Sequence, residues 1–170
     1  ALSTAFSSMA MSILTAAFSI DGYGQAEKDF ESEFARPRLI QTSDAGEILV
    51  VPLARGLANP FDMAFRDNGD ILVTERYTGQ LRVVRDGELL PRAIVGVPEV
   101  YSEVFRAGLM SVALHPDNDA LLFLSYTKPI EVEGELEQTV ALARATLDGE
   151  QLSNVEEIFV ARGLDRGIAA

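Results

Sequence analysis

Two stretches of the chain repeat one pattern, in which an apolar run, an aspartate-rich turn and a second apolar run follow each other. The first copy occupies residues 60–75 and the second occupies residues 108–126. Met63 in the first copy aligns with Val112 in the second, so the repeat is 49 residues long. Short apolar runs separated by turn residues predict strands. A repeat of this length with strands in each copy is typical of a β-propeller blade.

The first copy predicts a series of three strands joined by tight turns, at residues 61–66, 71–76 and 81–85. Asn68-Gly69 lies between the first two strands, and this dipeptide favours a hairpin turn in which both residues have positive φ. Asp86-Gly87 closes the third strand. Strands connected in this way predict an antiparallel meander.

The second copy begins a longer series of strands, predicted at residues 109–115, 121–127, 139–146 and 156–160. The acidic stretch 130–137 within this series is predicted to be a solvated loop or the tip of a hairpin. A strand is also predicted at residues 48–53, where Pro52 favours an edge or terminal position. Residues 99–106 are predicted to form one short turn of helix. No long amphipathic helix is indicated, so the fold class is all-β.

The repeat predicts a partial β-propeller of about two to two and a half antiparallel four-stranded blades. A third copy would begin near residue 161, and the chain ends at Ala170. Residues 48–170 are therefore interpreted as the N-terminal blades of a larger propeller, which is an incomplete domain. The apolar residues of both copies are predicted to pack between blades, namely Met63, Phe65, Leu72, Val112, Leu114 and Leu122.

The beginning of the chain differs in composition from the rest. Residues 1–20 carry no charge, and polar or small residues follow up to Ala26. This pattern predicts a secretory signal over residues 1–26, and hence a periplasmic or secreted protein without a membrane span in its mature form. A membrane anchor is the alternative interpretation of the same stretch. Residues 27–47, which include Pro37, are predicted to be an irregular lead-in to the propeller.

Charge and composition exclude several classes of function. The 170 residues have a formal net charge of −12 and a pI of about 4.4. Nucleic-acid binding requires clustered Lys and Arg, so this acidic balance argues against it. The absence of cysteine excludes disulfides, thiolate nucleophiles and Cys-ligated metals. His115 is the single histidine of the chain, which excludes a metal site built from several histidines of this sequence.

A series of short motifs, in a fixed order, adds family information to this pattern. The motifs are Gly56-Leu57-Ala58-Asn59-Pro60-Phe61, Ala64-Phe65, Gly69-Asp70, Leu72-Val73-Thr74-Glu75-Arg76, Gly79-Gln80-Leu81-Arg82, Asp86-Gly87, Gly96-Val97-Pro98-Glu99-Val100, Gly108-Leu109-Met110 and Val112-Ala113-Leu114-His115-Pro116-Asp117. The series resembles the N-terminal part of the soluble PQQ-dependent glucose/sorbosone dehydrogenases, and more closely their aldose sugar dehydrogenase branch, over about residues 48–160.

The resemblance implies a six-bladed propeller with PQQ over its axial face and calcium bound to the cofactor. It implies oxidation of an aldose at its anomeric carbon to a lactone, with electrons passed to an acceptor. The family's catalytic histidine, its calcium ligands and most of its PQQ-binding basic residues correspond to positions beyond Ala170. No catalytic or metal-binding residue is therefore assigned within this chain, and the chain by itself is expected to be inactive.

Arg106 is the one residue assigned to cofactor binding. The family usually has glutamine at this position, two residues before the Gly-Leu that opens the second copy, and the glutamine amide helps to hold PQQ. The planar guanidinium of an arginine can instead pair with a PQQ carboxylate. The alternatives are an arginine that disrupts the pocket, an arginine that marks a different ligand, or a surface residue of a mobile loop.

Four aspartates in the turns, Asp67, Asp70, Asp117 and Asp119, have the ligand type that calcium prefers. Their spacing lacks the alternating loop with a terminal glutamate that an EF-hand requires. We interpret them as turn-capping residues, because an aspartate side chain in a turn bonds the nearby backbone.

Three further residues have a functional and a structural interpretation. His115 precedes Pro116 and is interpreted as a structural imidazole bonded to the turn backbone, and no Gly-x-Ser-x-Gly motif accompanies it as in a hydrolase triad. Glu75-Arg76 ends a strand, where it could contact a substrate. We favour ion pairing or hydrogen bonding between adjacent blades for this pair.

Two other functions remain open at the level of the sequence. The substitution at Arg106 is compatible with a non-catalytic propeller that binds partners and has lost the cofactor chemistry. A related lactone hydrolase would require a cage of carboxylates and asparagines around a metal, and no such set is visible in these residues.

Overall fold

The structure, a computed structural model, describes residues 36–103, 107–132 and 134–162. Every element of regular secondary structure assigned in these ranges is a β-strand, which confirms the all-β fold class. The chain divides into two compact units between Pro52 and Leu53. Within the described ranges no helix is long and apolar enough to cross a membrane. The predicted signal segment over residues 1–26 lies outside the described residues.

The first unit contains a two-stranded antiparallel hairpin of β1 (Arg38–Thr42) and β2 (Gly46–Val50). The Thr42 hydroxyl closes the turn, accepting from the Ala45 N–H at 3.1 Å and donating to the Gly46 carbonyl at 2.9 Å. The prediction of an irregular lead-in up to residue 47 is therefore wrong at this hairpin. A turn with a threonine cap and a glycine at φ 70° lets the short flanking segments pair.

The second unit begins with a four-stranded antiparallel sheet in which each strand pairs with the next along the chain. This meander confirms the three strands predicted from the first copy, within one or two residues at their ends. Its strands are β3 (Pro60–Phe65), β4 (Ile71–Glu75), β5 (Gln80–Arg85) and β6 (Glu88–Leu89).

The turns of this sheet differ from the prediction in one respect. Gly69 has a φ of 89°, but Asn68 does not have positive φ, and the Gly69 N–H donates to the Arg66 carbonyl at 3.0 Å. The loop between β3 and β4 is longer than a two-residue hairpin turn. It is built on an ordinary four-residue turn from Arg66 to Gly69, which needs only one residue with positive φ. Asp86 and Gly87 instead form the turn with two positive φ values, 52° and 80°.

The second sheet is also a four-stranded meander. Pairing between its two longest strands extends from Leu121↔Thr146 to Val132↔Glu135, so the acidic stretch 130–137 belongs to the hairpin tip and not to a loop. These strands are longer than predicted because Ile130 and Val132 continue the alternating pattern beyond the sheet's other strands. The four strands are β7 (Leu109–His115), β8 (Asn118–Val132), β9 (Glu135–Asp148) and β10 (Gln151–Val160).

The two sheets pack as adjacent blades, with β3 and β4 in contact with β7. Met63 and Phe65 were predicted to be core, but they are 56% and 67% exposed. Side chains alternate across a strand, and the face of β3 toward β7 carries Asp62 and Ala64 instead. The shared core consists of Leu72, Leu81, Val83, Ile94, Leu109, Val112, Leu122, Leu124, Tyr126, Ala141, Ala143, Ala145, Leu147 and Leu152, with Leu114 packed against it.

Buried polar groups also join the two blades. The Thr74 hydroxyl is fully buried and donates to the Met110 carbonyl at 2.7 Å. The Asp62 carboxylate accepts from the Val112 N–H at 3.1 Å. These bonds satisfy main-chain groups of β7 that β8 leaves free at an irregularity in the pairing between Leu109 and Val112.

The helical turn predicted over residues 99–106 is not observed in residues 99–103. Residues 104–106 lie outside the described ranges. Tyr101 instead donates its N–H to the Thr127 carbonyl at 2.8 Å, which takes the chain along the second blade.

The main chains of the two blades approach each other closely at Gly108, just before β7. A Cβ atom on Gly108 would lie 2.2 Å from the Arg76 carbonyl oxygen, and the φ of this glycine is 132°. The Leu109 N–H donates to the same oxygen at 2.9 Å. Only glycine permits both the backbone conformation and the approach.

We predict that Gly108→Ala strongly destabilises the protein. The backbone conformation costs about 1–3 kcal/mol for a non-glycine residue, and overpacking costs about 1–3 kcal/mol more. The measurement is the free energy of unfolding in urea. Gly149→Ala is the matched control, because Gly149 has a φ of 58° but no atom within 4 Å of its Cβ position. Its expected loss is about 1–2 kcal/mol, and equal losses in the two variants would contradict the packing argument.

Candidate functional site

A polar meeting point of the two blades lies where β4 ends and β7 begins, and we name it the Arg76 edge (residues 57–60, 75–79 and 107–109). The Arg76 N–H donates to the Asn59 carbonyl at 3.1 Å, and the Arg76 carbonyl accepts from Leu109. Three separate main-chain segments are thus joined at one residue. This arrangement holds the side chains of the edge at fixed positions.

Glu75 is an internal anchor of the Arg76 edge. The residue is 1% exposed. Its carboxylate accepts from the Ala58 N–H at 2.8 Å and from the Thr78 hydroxyl at 3.0 Å, and Arg82 Nη1 lies 3.3 Å away. All of these partners belong to the first blade or to the segment that leads into it. Both carboxylate oxygens have partners and the side chain is buried, so Glu75 is not accessible to a substrate.

Arg76 confirms the predicted hydrogen bonding between adjacent blades. Its Nε donates to the Ala107 carbonyl at 3.0 Å, ahead of β7. The guanidinium carbon also lies 4.6 Å from the centroid of the Phe61 ring and 5.7 Å from that of Tyr77. A cation over aromatic rings at these distances is attracted by their π electrons. The side chain is therefore held both by a hydrogen bond and by its two aromatic neighbours.

Thr127 is a third anchor, which the sequence did not reveal. The residue is fully buried. Its hydroxyl accepts from the Gly108 N–H at 2.6 Å and donates to the Tyr101 carbonyl at 2.5 Å. A threonine in a strand belongs to no sequence motif that would indicate such bonding, so only the folded structure could show that Thr127 joins these segments. Arg106, the residue assigned to cofactor binding, lies outside the described residues, and its prediction stays untested.

The aspartates of the repeated turns lie at the opposite edge, the turn edge (residues 66–70 and 115–119). Asp119 accepts from the Asp67 N–H at 3.2 Å and lies 3.2 Å from Arg66 Nε. This contact joins the turns of the two blades. Local capping, which was predicted for the aspartates, is provided at these turns by Asn68 and Asn118, each of which accepts from an N–H two residues later.

Asp70 is buried at the turn edge and pairs with Arg85. The Arg85 Nε and Nη2 atoms lie 2.8 Å and 2.7 Å from its two carboxylate oxygens. This bidentate bond, together with a bond from the Asn68 amide, holds the pKa of Asp70 below its ordinary value of 3.8, although burial acts in the opposite direction. Asp70 is therefore an ion-paired structural acid and not a turn cap.

His115 is the remaining candidate from the sequence. His115 Nδ1 accepts from the Asp117 N–H at 3.2 Å, which confirms the structural interpretation of this imidazole. In the part of the chain that the structure describes, no three His, Cys, Asp or Glu residues lie close enough to hold a metal ion.

One cavity of about 280 Å³ lies on the first blade. Its walls are aliphatic, which leaves it without a group for acid–base chemistry or for binding an anion. The lining residues are Leu53, Ala54, Leu57, Met63, Ile71, Val73 and Val84.

Comparisons with known proteins agree with this architecture. The family described as Glucose / Sorbosone dehydrogenase matches residues 57–166. A curated relative, an uncharacterized protein of Synechocystis sp., is 39% identical over 122 residues, which cover 66% of this chain and 28% of that protein.

Solved structures show the same arrangement of strands. A glucose dehydrogenase is 31% identical with a TM-score of 0.59, over 66% of this chain and 36% of that one. The apo-form of the soluble aldose sugar dehydrogenase of Escherichia coli is 27% identical with a TM-score of 0.58, over 66% and 33%. A PQQ-bound aldose sugar dehydrogenase of Streptomyces coelicolor is 22% identical with a TM-score of 0.55, over 75% of this chain and 35% of that one. At this identity the likeness shows only that the two share a fold. The chain thus spans about a third of the length of these proteins.

We predict that the Asp70–Arg85 pair makes stability depend on pH in the acid range. Because the pKa of Asp70 in the folded state lies below its ordinary value of 3.8, its contribution is complete above about pH 5. The contribution is lost as the pH falls from there through the lowered pKa, because the unfolded chain binds the proton at a higher pH than the folded protein does. Asp70→Asn should lower the free energy of unfolding at pH 7 and flatten its decline between pH 5 and pH 2.5.

The measurement is urea unfolding across that pH range. Asp148→Asn, which removes a carboxylate from an exposed position at the end of β9, is the control against which the pH profile of Asp70→Asn is compared. A parallel decline in Asp70→Asn and in the unmodified protein would show that the pair does not carry the effect.

Proposed function

The chain belongs to the glucose/sorbosone dehydrogenase family, and from this membership we propose that it forms the first two blades of a PQQ-dependent aldose sugar dehydrogenase. Such an enzyme oxidises the anomeric carbon of an aldose to a lactone. The observation that carries the proposal is the family match over residues 57–166, which includes both blades and the connection between them.

The Arg76 edge is chemically suited to the cofactor. PQQ is a planar quinone with three carboxylates, and arginine guanidinium groups and aromatic rings are the usual partners of planar anions. The edge provides a guanidinium beside two aromatic rings, and Glu75, the nearest acid in sequence, is occupied by other partners. When bound, PQQ would accept the hydride from the anomeric carbon of the sugar.

The residues of this chain act in the proposal by shaping one side of the cofactor site. Glu75 and Thr127 hold the segments on which the edge is built. Arg106, by its alignment with the glutamine of the family, is proposed to pair with a PQQ carboxylate. The base that takes the proton of the sugar hydroxyl, and the ligands of calcium, are proposed to lie in other parts of the protein.

The location and partners of the protein follow from the same proposal. The uncharged leading segment over residues 1–20 supports export to the periplasm or secretion. The substrate is an aldose, and an electron acceptor completes the turnover. The acidic net charge supports the expectation that nucleic acid is not a partner.

A non-catalytic propeller is the second candidate, favoured by the arginine at position 106 in place of the family's glutamine. Such a protein would keep the two-bladed arrangement described above and bind no PQQ. The two candidates therefore differ in a property that can be measured directly.

We predict that the complete protein that contains these residues oxidises glucose when PQQ and calcium are supplied. The assay measures reduction of a dye acceptor, and the control omits PQQ. A purified chain of residues 27–170 is expected to show no turnover under the same conditions, because the family's base lies outside it. Failure of the complete protein both to bind PQQ and to reduce the dye would favour the non-catalytic propeller. Robust turnover by residues 27–170 would contradict the assignment of the base.

A further inference from the structure

Arg76 is a half-buried cation that has no acidic partner among the residues that the structure describes. Its Nε–H donates to the Ala107 carbonyl. Among the described residues, no hydrogen bond or ion pair uses its Nη1 or Nη2 atoms, which carry four further N–H donors. Buried charges in proteins are normally paired. By contrast, Arg66, Arg82, Arg85 and Arg144 of the two blades each have a carboxylate within 4 Å.

The acid that could have paired with Arg76 is engaged elsewhere. Glu75 precedes it in sequence, but its oxygens accept from Ala58 and Thr78 and lie beside Arg82. Glu75 is the last residue of β4 and Arg76 begins the turn that follows it. Because the Glu75 carboxylate is engaged by other groups, Arg76 has no counter-ion among the described residues.

The guanidinium is also held in advance of any ligand. The main chain of Arg76 is bonded on both sides, to Asn59 and to Leu109. The rings of Phe61 and Tyr77 and the bond to Ala107 restrict the side chain. A ligand that binds this group loses little affinity to the ordering of a long side chain.

We infer that Arg76 binds a carboxylate of the ligand at the Arg76 edge, through the two Nη groups. This inference rests on the proposed function, under which the carboxylate is one of the three carried by PQQ. A guanidinium fork and a carboxylate form two parallel hydrogen bonds, and such pairs are stronger than neutral ones. The rings of Phe61 and Tyr77, 51% and 39% exposed, provide an aromatic surface beside the bound anion.

The experiment measures the dissociation constant of PQQ for the complete protein by absorbance titration, without sugar or dye. Arg76→Leu should weaken PQQ binding by about 10- to 100-fold, which is the range expected for lost charge-assisted hydrogen bonds. Arg76→Lys keeps the positive charge and an alkyl side chain but loses the two-pronged guanidinium group. Its affinity for PQQ should lie between those of the unmodified protein and of Arg76→Leu. Arg144→Leu is the matched control, because Arg144 is an arginine on β9 that is paired with Glu156, and it should bind PQQ normally.

A second ligand separates recognition of the carboxylate from a purely structural role. The trimethyl ester of PQQ keeps the ring system and lacks the anionic groups. The Arg76→Leu variant and the unmodified protein should bind this ester equally weakly. Thermal melts of every variant establish that titrations are made on folded protein, and Arg76→Lys retains the test if the leucine variant does not fold.

The outcomes distinguish the inference from the proposed function. Normal PQQ affinity in folded Arg76→Leu would overturn the inference and leave the proposed function standing. An equal loss of affinity for PQQ and for its ester would show that Arg76 only supports the edge, which also overturns the inference. Absence of PQQ binding by the unmodified protein would overturn the proposed function together with the inference.

Discussion

The approach of Gly108 to the carbonyl group of Arg76 is the contact on which the two-blade arrangement depends. It leaves no space for a side chain, and the adjoining Leu109 N–H bonds the same oxygen. Because this contact is made by main-chain atoms, it determines where β7 begins relative to the end of β4. The buried bonds from Thr74 to β7, and from the main chain of β7 to Asp62, extend the same alignment along the blades.

The two edges of the blades differ in how their charges are balanced. At the turn edge, the acids Asp70 and Asp119 have arginines beside them, so the repeated turns are held by internal ion pairs. At the Arg76 edge, the acid is bonded to other groups of its own blade, and among the described residues the arginine side chain has aromatic rings and a carbonyl as partners. The aspartate-rich turns are conspicuous in the sequence, yet it is at the other edge that a charge without an ionic partner lies among the described residues.

Much of the fold could be predicted from alternation and turn residues. The strands of the first blade and β7 were predicted within one or two residues, because local patterns dominate there. The lengths of β8 and β9 were not predicted correctly, because their extension beyond residue 127 depends on the pairing of one strand with the other. The predicted burial of Met63 and Phe65 was also wrong. Alternation divides the side chains of β3 between two faces but does not show which face packs against the next blade.

The sequence by itself determined the strand order, the repeated unit and the resemblance to a dehydrogenase family, because these depend on residue types and on spacing along the chain. The tertiary structure decided which partner each polar side chain bonds. Glu75 and Arg76 are adjacent in sequence, yet one bonds within its own blade and the other reaches Ala107, 31 residues away. Such partners are set by the packing of one sheet on another, and a one-dimensional pattern contains no information on that distance.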